Sequence, residues 1–352
     1  MWTAEQKCLL WLDSFPLEPT KKHLLLKTAG GAVALVRNFS GLAREFKDGE
    51  LFSRMLETLS GEAYFAGLAN RLEREKITPV FYGGEGYPKA WLTLADAPLC
   101  LYAKGELSLL KDELFAVVGS RRTVDSARKL GGKIAEELTA RFAVLTGSAD
   151  GGDETALRGA LDGGKAVCLL AGGFGFAPKE NSLLVRVEKE GLLLSACPLD
   201  TPVRVFSYEY RNKLLAAMSV GVLVLGAAEK SGALITAKYA AAMGKKLFAI
   251  PYAPSVLAGA GCNQLIKNGA YLTETANDIL EKYGYEGVEK KKIPLTETEE
   301  KAVEFITERG EAHVSEISSA LNIPTYRLAT MLSALEVKGA VVKLGGNRYS
   351  VV

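Results

Sequence analysis

Apolar residues recur at helical spacing through the first 75 residues of the chain. In the stretch 51–59 they fall at positions i, i+1, i+4, i+5 and i+8, the pattern of an amphipathic helix. Pro16 and Pro19 separate a first helix from a second, because proline cannot continue a helix. The pattern predicts an N-terminal helical domain over residues 1–75.

From residue 114 onward, short apolar runs alternate with amphipathic stretches. The runs read FAVVGS, AVLTGS, KAVCLLAGG, LLLSACP, GVLVLGAA and KLFAIP. Apolar strands that alternate with helices are typical of a parallel sheet covered on both faces. Two further extended pieces lie between residues 76 and 112, separated by a predicted helix after Pro88. We therefore predict an α/β fold with a Rossmann-like core over residues 76–288.

The pattern changes again near the C-terminus. Residues 289–297 are charged, interrupted by proline and without apolar periodicity, which is typical of a linker. Residues 298–352 then show three helical patterns followed by two β-like pieces around a Gly-Gly turn. This is the order of a winged helix, a variant of the helix-turn-helix.

Length and composition limit the possible functions. A chain of 352 residues suggests two or three domains. The longest apolar stretches run about nine residues, roughly half of what a membrane-spanning helix needs. The first residues lack the order of a secretory signal, so we predict a cytoplasmic protein without a membrane span. Because the net charge is only +2, any surface that binds nucleic acid must be a local positive patch.

The cysteines and histidines do not indicate a catalytic or metal site. Five cysteines are widely spaced without a C-x-x-C pair, and the two histidines are distant from them in sequence. We predict no catalytic residue, no metal and no cofactor.

In an open parallel sheet, ligands bind beyond the carboxyl ends of the strands, so the loops there are the candidate sites. The first such loop begins with Gly119 and Ser120, followed by Arg121 and Arg122. Glycine permits close approach, backbone N–H groups form an anion nest, and Arg121 can hold a phosphate with two hydrogen bonds. This loop predicts a phosphate site.

The second and third loops are also rich in glycine. Gly147 would permit close approach in the second, where we predict Asp153 as the N-cap of a helix that begins at Glu154. The third loop, 172–181, places Phe174 and Phe176 near a lysine. An aromatic beside a cation suits base stacking with a phosphate contact. The alternative is that both rings fold back onto the core.

The fourth loop, 204–213, interleaves three cations with three aromatics ahead of a predicted helix. In the fifth, Ser231 is placed as an N-cap with Lys230 beside it. The loops carry glycine, serine and arginine or lysine, but no metal-ligand cluster and no nucleophile–base pair. They favour anion binding without catalysis.

The ordered motifs resemble the DprA (Smf) family of bacterial DNA-processing proteins. The matching segments are VVGSRR at 117–122, TGSADGGDETALRGAL at 146–161, GGFGFAPKEN at 172–181, YEYRNKLLAAMS at 208–219, EKSGALITAKYA at 229–240 and AIPY with GAGCNQLIKNGA at 249–270. The resemblance implies an extended Rossmann fold, an N-terminal SAM-like helical domain and a homodimer. It also implies a non-enzymatic protein that binds and protects incoming single-stranded DNA and loads RecA during natural transformation and recombination.

The resemblance also implies which residues line the DNA groove. Gly119, Ser120 and Arg121 would hold backbone phosphate, and Phe174 or Phe176 would stack on a base. Together with the loop residues above, the predicted DNA-binding set is Gly119, Ser120, Arg121, Arg122, Gly147, Phe174, Phe176, Lys179, Asn181, Arg211, Asn212, Lys213, Lys230 and Ser231.

The chain departs from the family pattern at several positions, which makes it a divergent member. In the second loop, usually S-G-x-A-x-G-I-D with a later histidine, Thr146 replaces the first serine, Gly152 the isoleucine and Leu157 the histidine. The N-terminal helices, with prolines at 16 and 19, are predicted to lack the glycine hairpin of a helix-hairpin-helix.

Two other functions compete with this interpretation. Rossmann-like nucleotide-processing enzymes of the lysine-decarboxylase-like group use a P-G-G-x-G-T loop and a catalytic glutamate, and neither is evident here. A regulator that binds duplex DNA through its winged helix is the other. Its third helix, 325–338, offers only Arg327 and Lys338 as cations, too few for strong groove binding.

Overall fold

The computed structural model describes residues 2–42, 49–59, 62–177, 182–288 and 294–351. The chain divides into two compact units, Met1–Val288 and Glu289–Val352, which are described separately.

The first unit begins with five helices. They are α1 (Ala4–Asp13), α2 (Pro19–Ala29), α3 (Ala32–Leu42), α4 (Gly49–Leu59) and α5 (Glu62–Arg74). Thr3 caps α1, because its hydroxyl accepts the Gln6 N–H at 3.2 Å while the Gln6 side chain accepts the Thr3 N–H at 2.9 Å. The fully buried Trp11 packs edge-on against neighbouring aromatic rings of this bundle. The predicted N-terminal helices are therefore confirmed.

One prediction for these helices is wrong. Gly30 and Gly31, with φ of 79° and 125°, form the connection between α2 and α3. Gly30 is the left-handed C-cap of α2, a conformation that glycine adopts without steric cost. A glycine hairpin is thus present, and it lies one helix later than the proline-containing segment that suggested its absence.

A nine-stranded sheet forms the centre of the first unit. Its strands are β1 (Thr78–Phe81), β2 (Cys100–Gly105), β3 (Leu114–Val118), β4 (Ala143–Thr146), β5 (Ala166–Leu170), β6 (Leu192–Ser195), β7 (Gly221–Val224), β8 (Lys246–Ala249) and β9 (Tyr271–Leu272). The spatial order is β1-β2-β6-β5-β4-β3-β7-β8-β9. In this spatial order, each strand from β6 through β3 to β9 is parallel to its neighbour. Strand β2 pairs antiparallel with β6 and with β1.

Helices cover both faces of this sheet. They are α6 (Asp125–Leu138), α7 (Gly152–Asp162), α8 (Ser182–Glu190), α9 (Val205–Met218), α10 (Ala233–Ala242), α11 (Ala260–Lys267) and α12 (Ala276–Leu280). Helices α6, α7, α8 and α12 bury their apolar side chains in one core cluster, and α9, α10 and α11 bury theirs in another. The large, mostly parallel α/β sheet predicted from the alternating pattern is confirmed.

The strand order reverses at β3. The chain runs from β3 outward through β4, β5 and β6, and then returns to place β7 on the other side of β3. Ligands of open α/β sheets bind in the crevice at the carboxyl ends of the strands where the order reverses. This topology makes the loops after β3, β4 and β7 the candidate site.

The second unit is small and mixed. Its elements are α13 (Glu297–Arg309), β10 (Ala312–His313), α14 (Val314–Leu321), α15 (Thr325–Val337), β11 (Val341–Lys343) and β12 (Arg348–Val351). The strands form an antiparallel sheet in the order β10-β12-β11, packed on an apolar core of its own. This order of elements is consistent with a winged helix. Residues 289–293 of the predicted linker lie outside the described residues.

Candidate functional site

The turn after β3 is bound to both neighbouring loops of the crevice. The Ser120 N–H donates to Gly226 O in the loop after β7 at 2.8 Å. The Ser120 carbonyl accepts the Gly152 N–H of α7 at 3.0 Å and the Thr123 hydroxyl at 2.8 Å. The backbone of this turn is therefore fixed on both sides of the point where the strand order reverses.

The Ser120 hydroxyl also acts within the turn. It accepts the Arg122 N–H at 3.2 Å, so that N–H is not available to the anion nest expected here. The hydroxyl keeps its own hydrogen, which can be donated to an oxygen outside the turn.

Gly119 serves close packing inside the protein. A Cβ on Gly119 would lie 2.8 Å from the Gly152 Cα, so only glycine permits the turn and the start of α7 to approach this closely. The Gly119 N–H donates to the Asp153 carboxylate at 3.0 Å.

The predicted role of Asp153 as an N-cap is wrong. Helix α7 begins at Gly152, and Gly151 is its N-cap. The buried Asp153 carboxylate instead accepts the Gly119 N–H and pairs with the guanidinium of Arg211, with 3.6 Å between the Asp153 Oδ2 and the Arg211 Nη1. The position of the Asp153 side chain is therefore determined by Arg211, which is distant in sequence, and not by the N-terminus of its own helix.

Arg211 lies inside the protein. Its side chain is 6% exposed and that of Asp153 is 7% exposed. Its Nη1 also donates to Leu169 O at 3.4 Å. The guanidinium occupies the space that a Cβ on Gly147 would need, which explains the glycine at that position. Burial raises the pKa of Asp153, and the Arg211 charge and the Gly119 N–H oppose this rise.

The two residues after Arg211 also have internal partners. Asn212 is buried, and its Nδ2 donates to Gly232 O at 3.2 Å. Lys213 pairs with both carboxylate oxygens of Asp96 at 2.6 and 2.8 Å. These contacts tie α9 to the loop before α10 and to the segment before β2. Helix α9 begins at Val205, so the fourth loop of the sequence analysis is largely the start of a helix.

Several polar residues of the predicted set face solvent. Arg121, Arg122 and Lys230 are exposed. Ser231 precedes α10, whose N-cap is Gly232 and not Ser231 as predicted. Its hydroxyl nevertheless accepts the Ala233 N–H at 3.3 Å.

The aromatic residues of the third loop differ in exposure. Phe174 is buried, and Lys104 Nζ lies 5.0 Å from the centre of its ring. Phe176 is 52% exposed. Of the two interpretations, Phe174 follows the core alternative, whereas the Phe176 ring is exposed and does not fold back onto the core. Lys179 and Asn181 lie outside the described residues.

The third loop is held by the loop after β6. The Gly173 N–H donates to Thr201 O at 2.9 Å, and the Gly175 N–H donates to Leu199 O at 2.8 Å. Asp200, between these acceptors, forms a bidentate pair with Arg71 of α5 at 2.5 and 2.7 Å. The N-terminal helices thus support the loop that presents Phe176.

Sequence reasoning did not select Val205, Phe206 or Arg128 as site residues. Phe206 and Val205 open α9 and are 66% and 91% exposed. Arg128 of α6 donates from Nη2 to Arg121 O at 3.2 Å. The aromatic and cationic character of the segment 204–213 was the signal for Phe206 and Val205, but nothing in the sequence links Arg128 to Arg121.

The described residues show no constellation for metal or thiol chemistry. Over the ranges that the structure describes, no group of three or more His, Cys, Asp or Glu is placed to hold a metal ion. Burial raises the pKa of Cys168, Cys197 and Cys262 to about 12, so these thiols stay protonated at neutral pH. In the same ranges, no helix has the length and apolar character to cross a membrane.

The fold and the loops define a Rossmann-like α/β protein whose candidate site lies where the strand order reverses. Residues 78–284 match the family model of DNA recombination-mediator protein A, and the chain belongs to this family. The resemblance inferred from the ordered motifs is therefore confirmed.

Known relatives place the chain among DNA-processing proteins. It is 36% identical to the DNA processing protein DprA of Streptococcus pneumoniae over 205 residues, which cover 56% of this chain and 72% of that protein. It is 33% identical to the DprA homologue of Mycobacterium tuberculosis over 257 residues, covering 69% of this chain and 66% of that protein. It is 35% identical to the Smf protein of Escherichia coli over 202 residues, covering 56% of this chain and 54% of that protein. The matches thus span less than two thirds of the latter two relatives.

Two solved structures share the fold. The S. pneumoniae DprA structure superposes with a TM-score of 0.67 at 26% identity, covering 82% of this chain and all of that one (100%). DNA processing protein A from Helicobacter pylori, described for its single-stranded DNA binding mode, superposes with a TM-score of 0.54 at 26% identity. It covers 60% of this chain and 98% of that one.

Proposed function

We propose that this protein binds single-stranded DNA through the crevice beside β3, and that it protects incoming strands and loads RecA onto them in the cytoplasm during natural transformation and recombination. The observation that carries the proposal is the turn 119–122, which is fixed to both neighbouring loops and presents two exposed arginines. The H. pylori relative, described as binding single-stranded DNA, supports the same ligand.

In this proposal the turn contacts the DNA backbone. Arg121 is suited to hold a phosphate with two parallel hydrogen bonds, and the Ser120 hydroxyl can donate a third. Exposed Lys230 adds positive charge to the loop after β7. Phosphate contacts carry no base information, so binding would tolerate any sequence. Exposed Phe176 and Phe206 supply rings on which bases can stack, which is also tolerant of sequence.

We assign Arg211, Asn212 and Lys213 a supporting role in this function. Their internal partners hold α9 and the adjacent loops in place. Arg211 lies behind the turn, because Asp153 links it to the Gly119 N–H. The arginine and lysine therefore fix the geometry of the site and leave phosphate contact to the exposed cations.

A non-enzymatic role fits the same residues. We propose that the protein hydrolyses neither nucleotides nor DNA, with or without magnesium. A purified sample incubated with each substrate would be followed by chromatography of the products. Turnover that is lost on substitution of Arg121 would overturn this part of the proposal.

We propose that the protein acts as a homodimer that pairs through the β9 edge of the sheet. Strand β9 has β8 as its single neighbour in the described sheet. Its residues Tyr271 and Leu272 are 38% and 48% exposed. An unpaired sheet edge with apolar side chains favours pairing with another chain. Light scattering of the Leu272→Lys variant should show a monomer, whereas an unchanged dimer would place the interface elsewhere.

The competing role as a duplex-binding regulator has less support. Lys338, one of the two cations expected from the third helix of the second unit, pairs with both carboxylate oxygens of Glu299 at 2.8 Å. Arg348 in the hairpin pairs with Glu311 at 2.9 Å. These internal pairs reduce the charge that the unit can offer to DNA.

The decisive measurement is the salt dependence of DNA binding. Fluorescence anisotropy with labelled oligo-dT and a matched duplex would be recorded over a salt titration. The Arg121→Ala variant should bind more weakly to all sequences, with its log-log salt slope reduced by about 0.7. Arg186→Ala serves as the control, because Arg186 is engaged by Asp162 and Glu190. Absence of binding by the wild type, or binding to duplex alone, would refute the proposal.

A further inference from the structure

Arg128 lies in the first turn of α6 and bends back over the candidate site. Its Nη2 donates to the carbonyl of Arg121 at 3.2 Å, so its guanidinium is adjacent to the turn 119–122. The side chain is 38% exposed. Its buried Nε has no hydrogen-bond partner among the described residues. An arginine has five N–H donors, so most of its donor capacity is not used by these contacts.

The charge of Arg128 is also weakly compensated. The nearest carboxylate paired with it is that of Asp125, which lies 3.9 Å from Nη1 and belongs to a side chain that is 94% exposed. An ion pair this exposed neutralises little of the Arg128 charge, because water screens both charges. Glu154, at the start of α7, is held by Arg158 at 2.7 Å, and this contact lowers the pKa of Glu154. The Arg128 charge also contributes to this lowering, so Glu154 compensates part of it, but Glu154 is hydrogen-bonded to Arg158 and not to Arg128.

The hydrogen bond to the Arg121 carbonyl fixes the position of the Arg128 guanidinium beside the turn. A backbone carbonyl fixes the guanidinium but does not neutralise it. Arg121, Arg122 and Arg128 therefore form a group of three cations around one short turn, the three-arginine cluster. Planar guanidinium groups that flank one turn suit an extended polyanion with successive phosphates better than a single small anion.

We propose that Arg128 is a second phosphate-binding arginine, which contacts the phosphodiester next to the one held by Arg121. This inference rests on the proposed function and extends its site from one turn to the start of α6. The ligand is the sugar-phosphate backbone of a single strand, and the contact is independent of base sequence.

The test compares five variants with the wild type in the anisotropy assay with oligo-dT. In Arg128→Gln the charge is removed while an amide N–H remains that can donate to the Arg121 carbonyl. Removal of one phosphate contact should reduce the log-log salt slope by about 0.7 and weaken binding about fivefold at 0.1 M salt relative to 1 M. Arg121→Gln should give a similar change, and the double variant about twice the change in slope.

Two further variants control for charge and for folding. Arg128→Lys keeps the charge, so its slope should stay close to that of the wild type. Arg186→Gln removes an arginine of α8 that is paired with Asp162 and Glu190, and it should leave the slope unchanged. Thermal melts of each variant confirm that the fold is retained, and Arg128→Ala, for which the same reduced slope is expected, replaces Arg128→Gln if that variant does not fold.

The outcomes separate this inference from the proposed function. If Arg121→Gln lowers the slope and Arg128→Gln does not, the proposed function stands and the role of Arg128 is refuted. If Arg128→Gln weakens binding at every salt concentration with an unchanged slope, Arg128 only positions the turn, and the phosphate contact is again refuted. If the wild type does not bind oligo-dT, the proposed function fails, and the inference fails with it.

Discussion

Replacing Arg211 by methionine tests whether this residue supports the site from inside or contacts DNA directly. The sequence motif predicts a DNA contact, whereas the structure buries the guanidinium against Asp153 and Leu169 O. Methionine has a similar length and no charge. The variant would leave the Asp153 carboxylate with the Gly119 and Ala149 N–H groups but without its cation.

The burial of both partners sets the size of the effect. Because both side chains are less than one tenth exposed, removal of the cation leaves a buried charge without compensation, which costs about 3–5 kcal/mol. For a unit as long as Met1–Val288, the entropy of unfolding makes this a fall in Tm of about 5–8 °C. The measurement is thermal and denaturant unfolding of the variant beside the wild type.

The loss should depend on pH in a defined direction. Burial already raises the pKa of Asp153, and removal of Arg211 raises it further. A carboxyl whose pKa is higher in the folded than in the unfolded state makes the folded state bind more protons between the two values. Stability then falls as pH rises through that window. The deficit of the variant should therefore shrink as the pH is lowered toward about 4, the ordinary pKa of an aspartate.

The opposite result would refute this interpretation. If Arg211→Met unfolds like the wild type but its salt slope with oligo-dT falls by about 0.7, Arg211 contacts phosphate.

Two further variants serve as controls. The double variant with Asp153→Asn should recover most of the lost stability, because the stability effects of substitutions at two residues in direct contact are not additive. Lys213→Met is the matched control. Its pair with Asp96 is about one quarter exposed (24% and 22%), and breaking it should cost no more than about 1 kcal/mol.

Three further outcomes are expected. Lys22→Met should destabilise the protein by about 3–5 kcal/mol in denaturant unfolding, because Lys22 and Asp13 are each 4% exposed; a loss below about 1 kcal/mol would contradict the buried pair. Because burial raises the pKa of Cys168 and Cys197 to about 12, neither thiol should react with Ellman's reagent in the native protein at neutral pH, and both should react after unfolding. Arg327→Ala, in the second unit, should leave oligo-dT anisotropy unchanged, and a measurable loss would assign DNA binding to that unit.

The central sheet could be predicted from sequence because its strands are buried on both faces. The segments 114–118, 143–145 and 166–170 are continuous apolar runs, the pattern that parallel strands between helices require. Strand β9, by contrast, consists of two exposed residues at the edge of the sheet. Such a strand is defined by its pairing with β8 and not by any pattern of its own, so local periodicity could not predict it.

The sequence selects the candidate loops, but it does not indicate the partner of each residue in them. These loops follow from topology, since every loop at the carboxyl edge of a parallel sheet is a candidate. The roles of Arg211 and Lys213 depend on Asp153 and Asp96, which are distant in sequence. Residues two apart on a helix point in different directions, so one charged segment supplies two separate internal pairs. Only the fold brings these partners together.

The way charges are paired also predicts how strongly salt should weaken DNA binding. The net charge of +2 gives no general attraction to DNA, and the internal pairs of Arg211 and Lys213 remove two cations from the expected groove. Arg121, Arg122, Arg128 and Lys230 remain near the crevice in the described part of the chain. If each contacts one phosphate of a single strand, the log-log salt slope of the wild type is about −3. A much steeper slope would require cations elsewhere, such as Lys179, whereas a slope near zero would mean that stacking on Phe176 and Phe206, and not the arginine turn, dominates binding.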